Sequence, residues 1–138
     1  MSDSTADFLT RVRNALTADF DVVVVPASRM NKQLAALLER EGYIEGFETA
    51  RSVPEGRRER TEFDVLHVRL KYTEDRKPVI SGLRRVSKPG RRRYSSADTM
   101  PKVQGGMGTT IMTTSSGVMT AYEARRKGVG GEIVAQVW

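Results

Sequence analysis

The sequence predicts an α/β chain of the α+β kind, built as two small lobes. Residues 1–73 make an N-terminal α-β-α-β-β lobe, and residues 74–138 a mostly-β lobe with one short helix. Three observations predict it. Apolar residues recur at helical spacing in two early segments, the mark of amphipathic helices. Runs rich in β-branched residues, bounded by Pro and Gly turns, mark strands. The charge also changes sign along the chain. Residues 1–75 hold 11 Lys/Arg against 14 Asp/Glu and residues 76–138 hold 12 against 3, so a stretch of net −3 precedes one of net +9 in a chain of net +6.

In the first lobe, Asp3-Ser4 forms an N-cap region. Phe8, Leu9, Val12, Ala15 and Leu16 then give a helix from about Thr5 to Leu16. Asp21 to Pro26 contains four consecutive valines and reads as a buried strand. Ser28 caps a second helix whose apolar stripe is Leu34, Leu37 and Leu38, and Gly42 ends it. Tyr43 to Val53 is a strand, Pro54-Glu55-Gly56 turns the chain before a solvated RRER tip, and Phe63 to Tyr72 returns.

Thr73 to Pro78 is a polar connection and the expected lobe boundary. In the second lobe, Val79 to Val86 is a strand, Ser87-Lys88-Pro89-Gly90 a turn, and Arg91 to Tyr94 begins the partner strand of a hairpin. A short helical turn is expected over Asp98 to Val103 and a bend over Gly105 to Gly108. Thr109 to Ser115 is a strand. Thr120 caps a helix over Ala121 to Lys127, with Glu123 completing a capping box and Gly128 ending it, and Glu132 to Trp138 is the last strand.

Composition excludes several classes of protein. The chain has no Cys, so it holds no disulfide, thiol nucleophile or thiolate metal site. No apolar run approaches the ~20 residues needed to span a bilayer. The opening MSDSTADF is acidic and polar, unlike a signal peptide, so the expected compartment is the cytoplasm. His67 is the only histidine and cannot make a metal cluster. A hydrolase using His67 with Asp64 would lack a G-x-S-x-G elbow. Gly105-Gly106-Met107-Gly108 resembles a phosphate loop, but Ile111 stands where the third glycine belongs and a Thr-rich strand follows instead of a helix. No catalytic residue, metal, cofactor or small-molecule substrate is expected.

Two constellations point to a polyanion. From Arg76 to Ala97 there are eight basic residues and no acid, and six of them (Arg84, Arg85, Lys88, Arg91, Arg92 and Arg93) flank Pro89-Gly90. A turn that presents several cations suits phosphate contacts, and Tyr94 adds a ring able to stack on a base or sugar. The plainer reading is a basic edge that discourages strand pairing. Thr113-Thr114-Ser115-Ser116-Gly117 places four hydroxyls before a glycine. Hydroxyls both donate and accept, so this loop could meet base edges and ribose 2′-OH groups, or could simply satisfy its own backbone.

Taken in order, these segments resemble small-subunit ribosomal protein eight over nearly the whole chain, least between Glu48 and Glu62. GMGTTIMTTSSGVMTAYEARRKGVGGEIVAQVW is similar to the family's C-terminal signature, RRVSKPGRRRY to its basic hairpin, and ADFLTRVRNA and VPASRMNKQLAALLEREGYI to its N-terminal half. The resemblance puts the family's recognition loop on Thr113, Thr114 and Ser115, followed by Ser116 and Gly117. It puts the supporting glutamate on Glu132 and the basic hairpin on Ser87, Lys88, Pro89, Gly90 and Arg91. Thr113 replaces the family's Ser, Ser116 its Lys, Ala121 its Asp, and Ser4-Thr5 its Pro-Ile.

The resemblance implies a two-domain α/β protein whose C-terminal domain binds a helix in the central domain of 16S ribosomal RNA. It further implies an early role in assembling the platform and contacts with small-subunit proteins five and twelve, on the ribosome in the cytoplasm. A repressor of its own messenger RNA, acting through the same loop, is the alternative. The expected RNA-binding set is therefore Ser87 to Tyr94, including Arg92 and Arg93, with Thr113 to Gly117 and Glu132.

Overall fold

The computed structural model describes residues 4–52, 63–97 and 108–138. The turn and charged tip expected at 54–60, the helical turn expected at 98–103 and most of the bend expected at 105–108 lie outside those residues. The chain divides into two compact units, Met1–Val79 and Ile80–Trp138. The fold is α+β, with three helices and antiparallel sheets among the described residues.

In the first unit, α1 (Ser4–Thr17) turns Phe8, Leu9, Val12 and Ala15 inward, four residues at helical spacing that are all buried. α2 (Arg29–Arg40) starts at Ser28, whose Oγ accepts from Asn31 N at 3.1 Å, and buries Leu34, Ala35, Leu37 and Leu38. Tyr43 N donates to Leu38 O at 2.8 Å beyond Gly42, which closes the helix end with φ 82°. The sheet has the order β1-β3-β2, with β1 at Val22–Pro26, β2 at Ile44–Ser52 and β3 at Phe63–Leu70, and all its pairs are antiparallel.

The four valines do not make a buried strand. β1 pairs only with β3 and lies at the sheet edge, and α1 packs against it. Val25 is fully buried, whereas Val22 and Val24 are 43% and 41% exposed. The alternation of side chains along a strand turns those two to the open face. Arg11 Nη1 donates to Val24 O at 3.1 Å, occupying one carbonyl of β1.

The connection after β3 folds back on the first unit. Thr73 N donates to Lys77 O at 2.8 Å and Val79 N to Lys71 O at 3.0 Å. Arg76, at φ 62°, reaches Asp19 Oδ1 at 3.0 Å and Asp21 Oδ1 at 2.7 Å, and its guanidinium lies 4.0 Å from the Tyr72 ring centroid. The Tyr72 hydroxyl donates to Phe20 O at 2.5 Å.

The second unit is built on β8 (Gly131–Val137), which pairs on one side with β6 (Thr109–Thr114) and on the other with β4 (Leu83–Arg85) and β5 (Tyr94–Ser95). The hairpin expected between residues 79–86 and 91–94 is absent. Instead β4 and β5 run end to end along β8. Leu83 faces Val137 and Tyr94 faces Glu132, and between them Val86 N and Ser87 N bond Val134 O and Ile133 O at 3.0 and 3.1 Å. The Lys-Pro-Gly turn is an excursion from this edge, and the long strand β8 supplies more pairing than the two short segments could give each other.

β6 also pairs with a strand the sequence did not reveal, β7 (Gly117–Thr120), which completes the order β4-β8-β6-β7. α3 (Ala121–Lys127) follows without a gap. Its capping box forms as expected from Thr120 and Glu123, and Gly128 ends it in the left-handed region. Ala124 of α3 packs with Met112, Met119 and Ile133, joined by Val86, Ala121 and Val129, and this cluster fastens the helix to one face of the sheet.

Candidate nucleic-acid interface

The pairing on either side of β8 brings the two sequence constellations together. Glu132 lies between Tyr94 of β5 and Thr113 of β6, and Gly131 lies between Ser95 and Thr114. The basic turn and the hydroxyl segment, some twenty residues apart in sequence, thus meet at the N-terminal end of one strand. Gly131 makes this possible: a Cβ there would stand 2.2 Å from Thr113 O, a backbone atom with no freedom to retreat. Gly130 is under the same constraint, with Ser95 O at 2.6 Å. The pair of glycines lets three strands close tightly where the candidate residues emerge.

The basic turn is closed by two backbone bonds, Lys88 N to Arg91 O at 3.1 Å and Arg91 N to Lys88 O at 2.9 Å, so Pro89 and Gly90 form its exposed tip. Ser87 is buried, and its Oγ accepts from Arg93 N at 3.1 Å. It fixes the base of the turn and presents no hydroxyl to a ligand. Lys88, Arg91 and Arg93 are exposed and form no ion pair among the described residues. Arg92 differs: its Nη1 donates to Glu132 Oε1 at 2.9 Å. Tyr94 is 71% exposed.

The hydroxyl segment is the tip of the β6–β7 hairpin. Thr114 faces Gly117 across it, and the exposed Ser115 and Ser116 make the turn. Gly117, at φ 108°, gives the chain the positive-φ residue that closes the turn. The four hydroxyls have different surroundings. Thr114 Oγ1 accepts from Ser116 N at 3.1 Å and donates to Gly117 O at 3.0 Å, so it braces the turn. Thr113 Oγ1 is buried with no hydrogen-bond partner among the described residues. Ser115 and Ser116 alone are turned to solvent.

Sequence reasoning left out the last turn of α3. Arg125, Arg126 and Lys127 are exposed and form no ion pair among the described residues, and the chain returns from them through Gly128 to Gly131, beside Thr114. Their signal was a run of three cations after a capping box, readable also as complementing the helix C-terminus. The enzyme reading finds no assembly. His67 and Asp64 are three positions apart on β3 and so point to opposite faces. Among the described residues no group of three or more His, Asp or Glu could hold a metal, and no helix is long and apolar enough to cross a membrane.

A small antiparallel unit with a cationic turn and a hydroxyl hairpin side by side, and no assembled catalytic group among the described residues, defines a class: a binding module with the surface chemistry of a nucleic-acid ligand. The comparisons with known proteins are more specific. The family model described as ribosomal protein S8 matches residues 3–138. The chain is 49% identical over 138 residues to the small ribosomal subunit protein uS8 of Leuconostoc mesenteroides, with 100% of this chain and 98% of that protein covered. It is 49% identical to the protein of that name from Lactobacillus acidophilus, with the same coverage. It is 44% identical to that of Thermodesulfovibrio yellowstonii, with 100% and 99% covered. This chain belongs to the ribosomal protein S8 family.

Proposed function

We propose that the chain is a structural, non-catalytic component of the small ribosomal subunit. In this reading it is a primary RNA-binding protein whose second unit holds a helix in the central domain of 16S ribosomal RNA and helps assemble the platform. It would work on the cytoplasmic ribosome beside small-subunit proteins five and twelve. Family membership supports the subunit. The observation that supports the RNA site is the register of β8, which sets the basic turn and the hydroxyl hairpin on either side of Glu132. Exposed Lys88, Arg91 and Arg93 suit phosphates, and the short Ser115 and Ser116 suit the shallow groove of an RNA helix, where base edges and 2′-OH groups are accessible.

The test is a titration of the full chain against separate transcripts of the 5′, central and 3′ domains of 16S RNA at fixed salt. The central domain alone should bind tightly. Equal binding to all three would reduce the protein to a general polyanion binder.

A further inference from the structure

α3 carries an aromatic and cationic face that nothing else in the fold uses. Ala124 is the residue of α3 that enters the core. At 100° per residue, Tyr122, Arg125 and Arg126 fall on the opposite side of the helix. Tyr122 is 70% exposed, so its ring gains little from burial. The Arg126 guanidinium carbon lies 5.8 Å from the ring centroid, a loose cation–π contact that orients the ring without sealing its face. The only acid on the helix, Glu123, is occupied in the capping box with Thr120 and does not neutralise this side. Favourable charge at a helix C-terminus accounts for the cations but not for an exposed tyrosine among them.

The topology gives the face a location. α3 begins where β7 ends, at Thr120 opposite Ile111. Its last turn leads through Gly128 to Gly131, which lies opposite Thr114. The helix therefore runs back toward the end of the sheet where the Ser115-Ser116 turn projects. We propose that Tyr122 and Arg126 form a stacking platform for one unpaired base of the RNA that the hydroxyl hairpin contacts, a role that rests on the RNA-binding reading above. Phosphate recognition needs only the cations. A base has a π face that can lie on the tyrosine ring or on the guanidinium plane, and both are offered here. The cations beside the ring, with their one acid neighbour occupied, favour a polyanion over a protein partner.

The experiment compares the full wild-type chain with Tyr122→Ala and Tyr122→Phe. The probes are a transcript of the central domain of 16S RNA and an uninterrupted RNA duplex. Tyr122→Ala should weaken transcript binding roughly 5- to 150-fold, the range that loss of one base–aromatic stack gives. Tyr122→Phe should bind like wild type, and the duplex should not distinguish the three proteins. The platform is overturned if Tyr122→Ala binds the transcript as wild type does, if Tyr122→Phe loses as much as Tyr122→Ala, or if a loss appears only when another subunit protein is added. A wild-type chain that fails to bind the transcript at all would instead overturn the RNA reading, and the platform with it.

Discussion

Arg92 Nη1 donates to Glu132 Oε1 at 2.9 Å and ties the basic turn to the strand that backs the hydroxyl hairpin. The Glu132 side chain keeps 22% of its surface exposed, so a carboxylate sits inside an otherwise cationic surface. Its partner makes sense of that position. It holds one arginine of the turn in place and leaves Lys88, Arg91 and Arg93 to face outward.

The first prediction separates these cations. Replacing Arg91 and Arg93 together with Ala should flatten the dependence of log affinity on log salt by up to about two units, near one per phosphate released. Adding Arg92→Ala should change the slope by less than one further unit, because that charge is already paired. A filter-binding series over salt reads both. Equal effects from all three would mean that the ion pair does not survive in the complex.

Glu132→Gln should lower RNA affinity while changing fold stability by less than ~1 kcal/mol, since the pair it breaks is partly solvated. The turn would lose its tether and the three outward cations their common orientation. Calorimetric titration beside a thermal melt measures the two effects. A gain in affinity would show the carboxylate to be only a repulsive neighbour of the RNA.

Gly131→Ala should destabilise the second unit by more than ~2 kcal/mol. The added carbon meets backbone at Thr113, and strain of this kind belongs among the larger effects of single substitutions. A urea melt of the variant measures it. A melt like wild type would contradict the register that brings the two candidate segments together.

The first unit should lose stability at alkaline pH through Tyr72. Partial burial pushes its phenol above the ordinary value, with Asp19 adding to the rise, while Arg76 opposes it. A raised folded value means the contribution is whole below about 10 and is lost as pH climbs through the folded value, because the ionised phenol cannot donate to Phe20 O. Tyr72→Phe should be less stable than wild type at neutral pH and should lack this alkaline loss. An identical pH profile for the two proteins would contradict the assignment.

Local signals were legible wherever the chemistry is local. The Thr120–Glu123 capping box and Gly128 mark α3 without any knowledge of the sheet, and Ser28 marks α2. β7 was hidden because only Val118 and Met119 lie between the turn glycine and the capping threonine, too few for an alternation to show. Lys88-Pro89-Gly90 carried a genuine turn signal, but which strand its flanks join depends on β8, some forty residues away. The Arg92–Glu132 pair has the same separation, so the sequence displayed both partners without their connection. Within the hydroxyl segment, residue types alone could not separate Thr114, turned inward to brace the hairpin, from Ser115, turned out.

That last distinction leads to the most direct test of the interface. The wild-type chain, Ser115→Ala and Thr114→Val are titrated against the central-domain transcript and an unrelated RNA helix over a salt series, with thermal melts alongside. Ser115→Ala should melt like wild type and lose ~0.5–1.5 kcal/mol of affinity for the transcript, the worth of a neutral hydrogen bond. It should lose almost nothing for the unrelated helix, with the salt slope unchanged because no charge is removed. Thr114→Val should instead lower the melting temperature, since its hydroxyl holds the turn. Equal losses of Ser115→Ala on both RNAs, or none on either, would contradict the claim that this hairpin chooses the RNA.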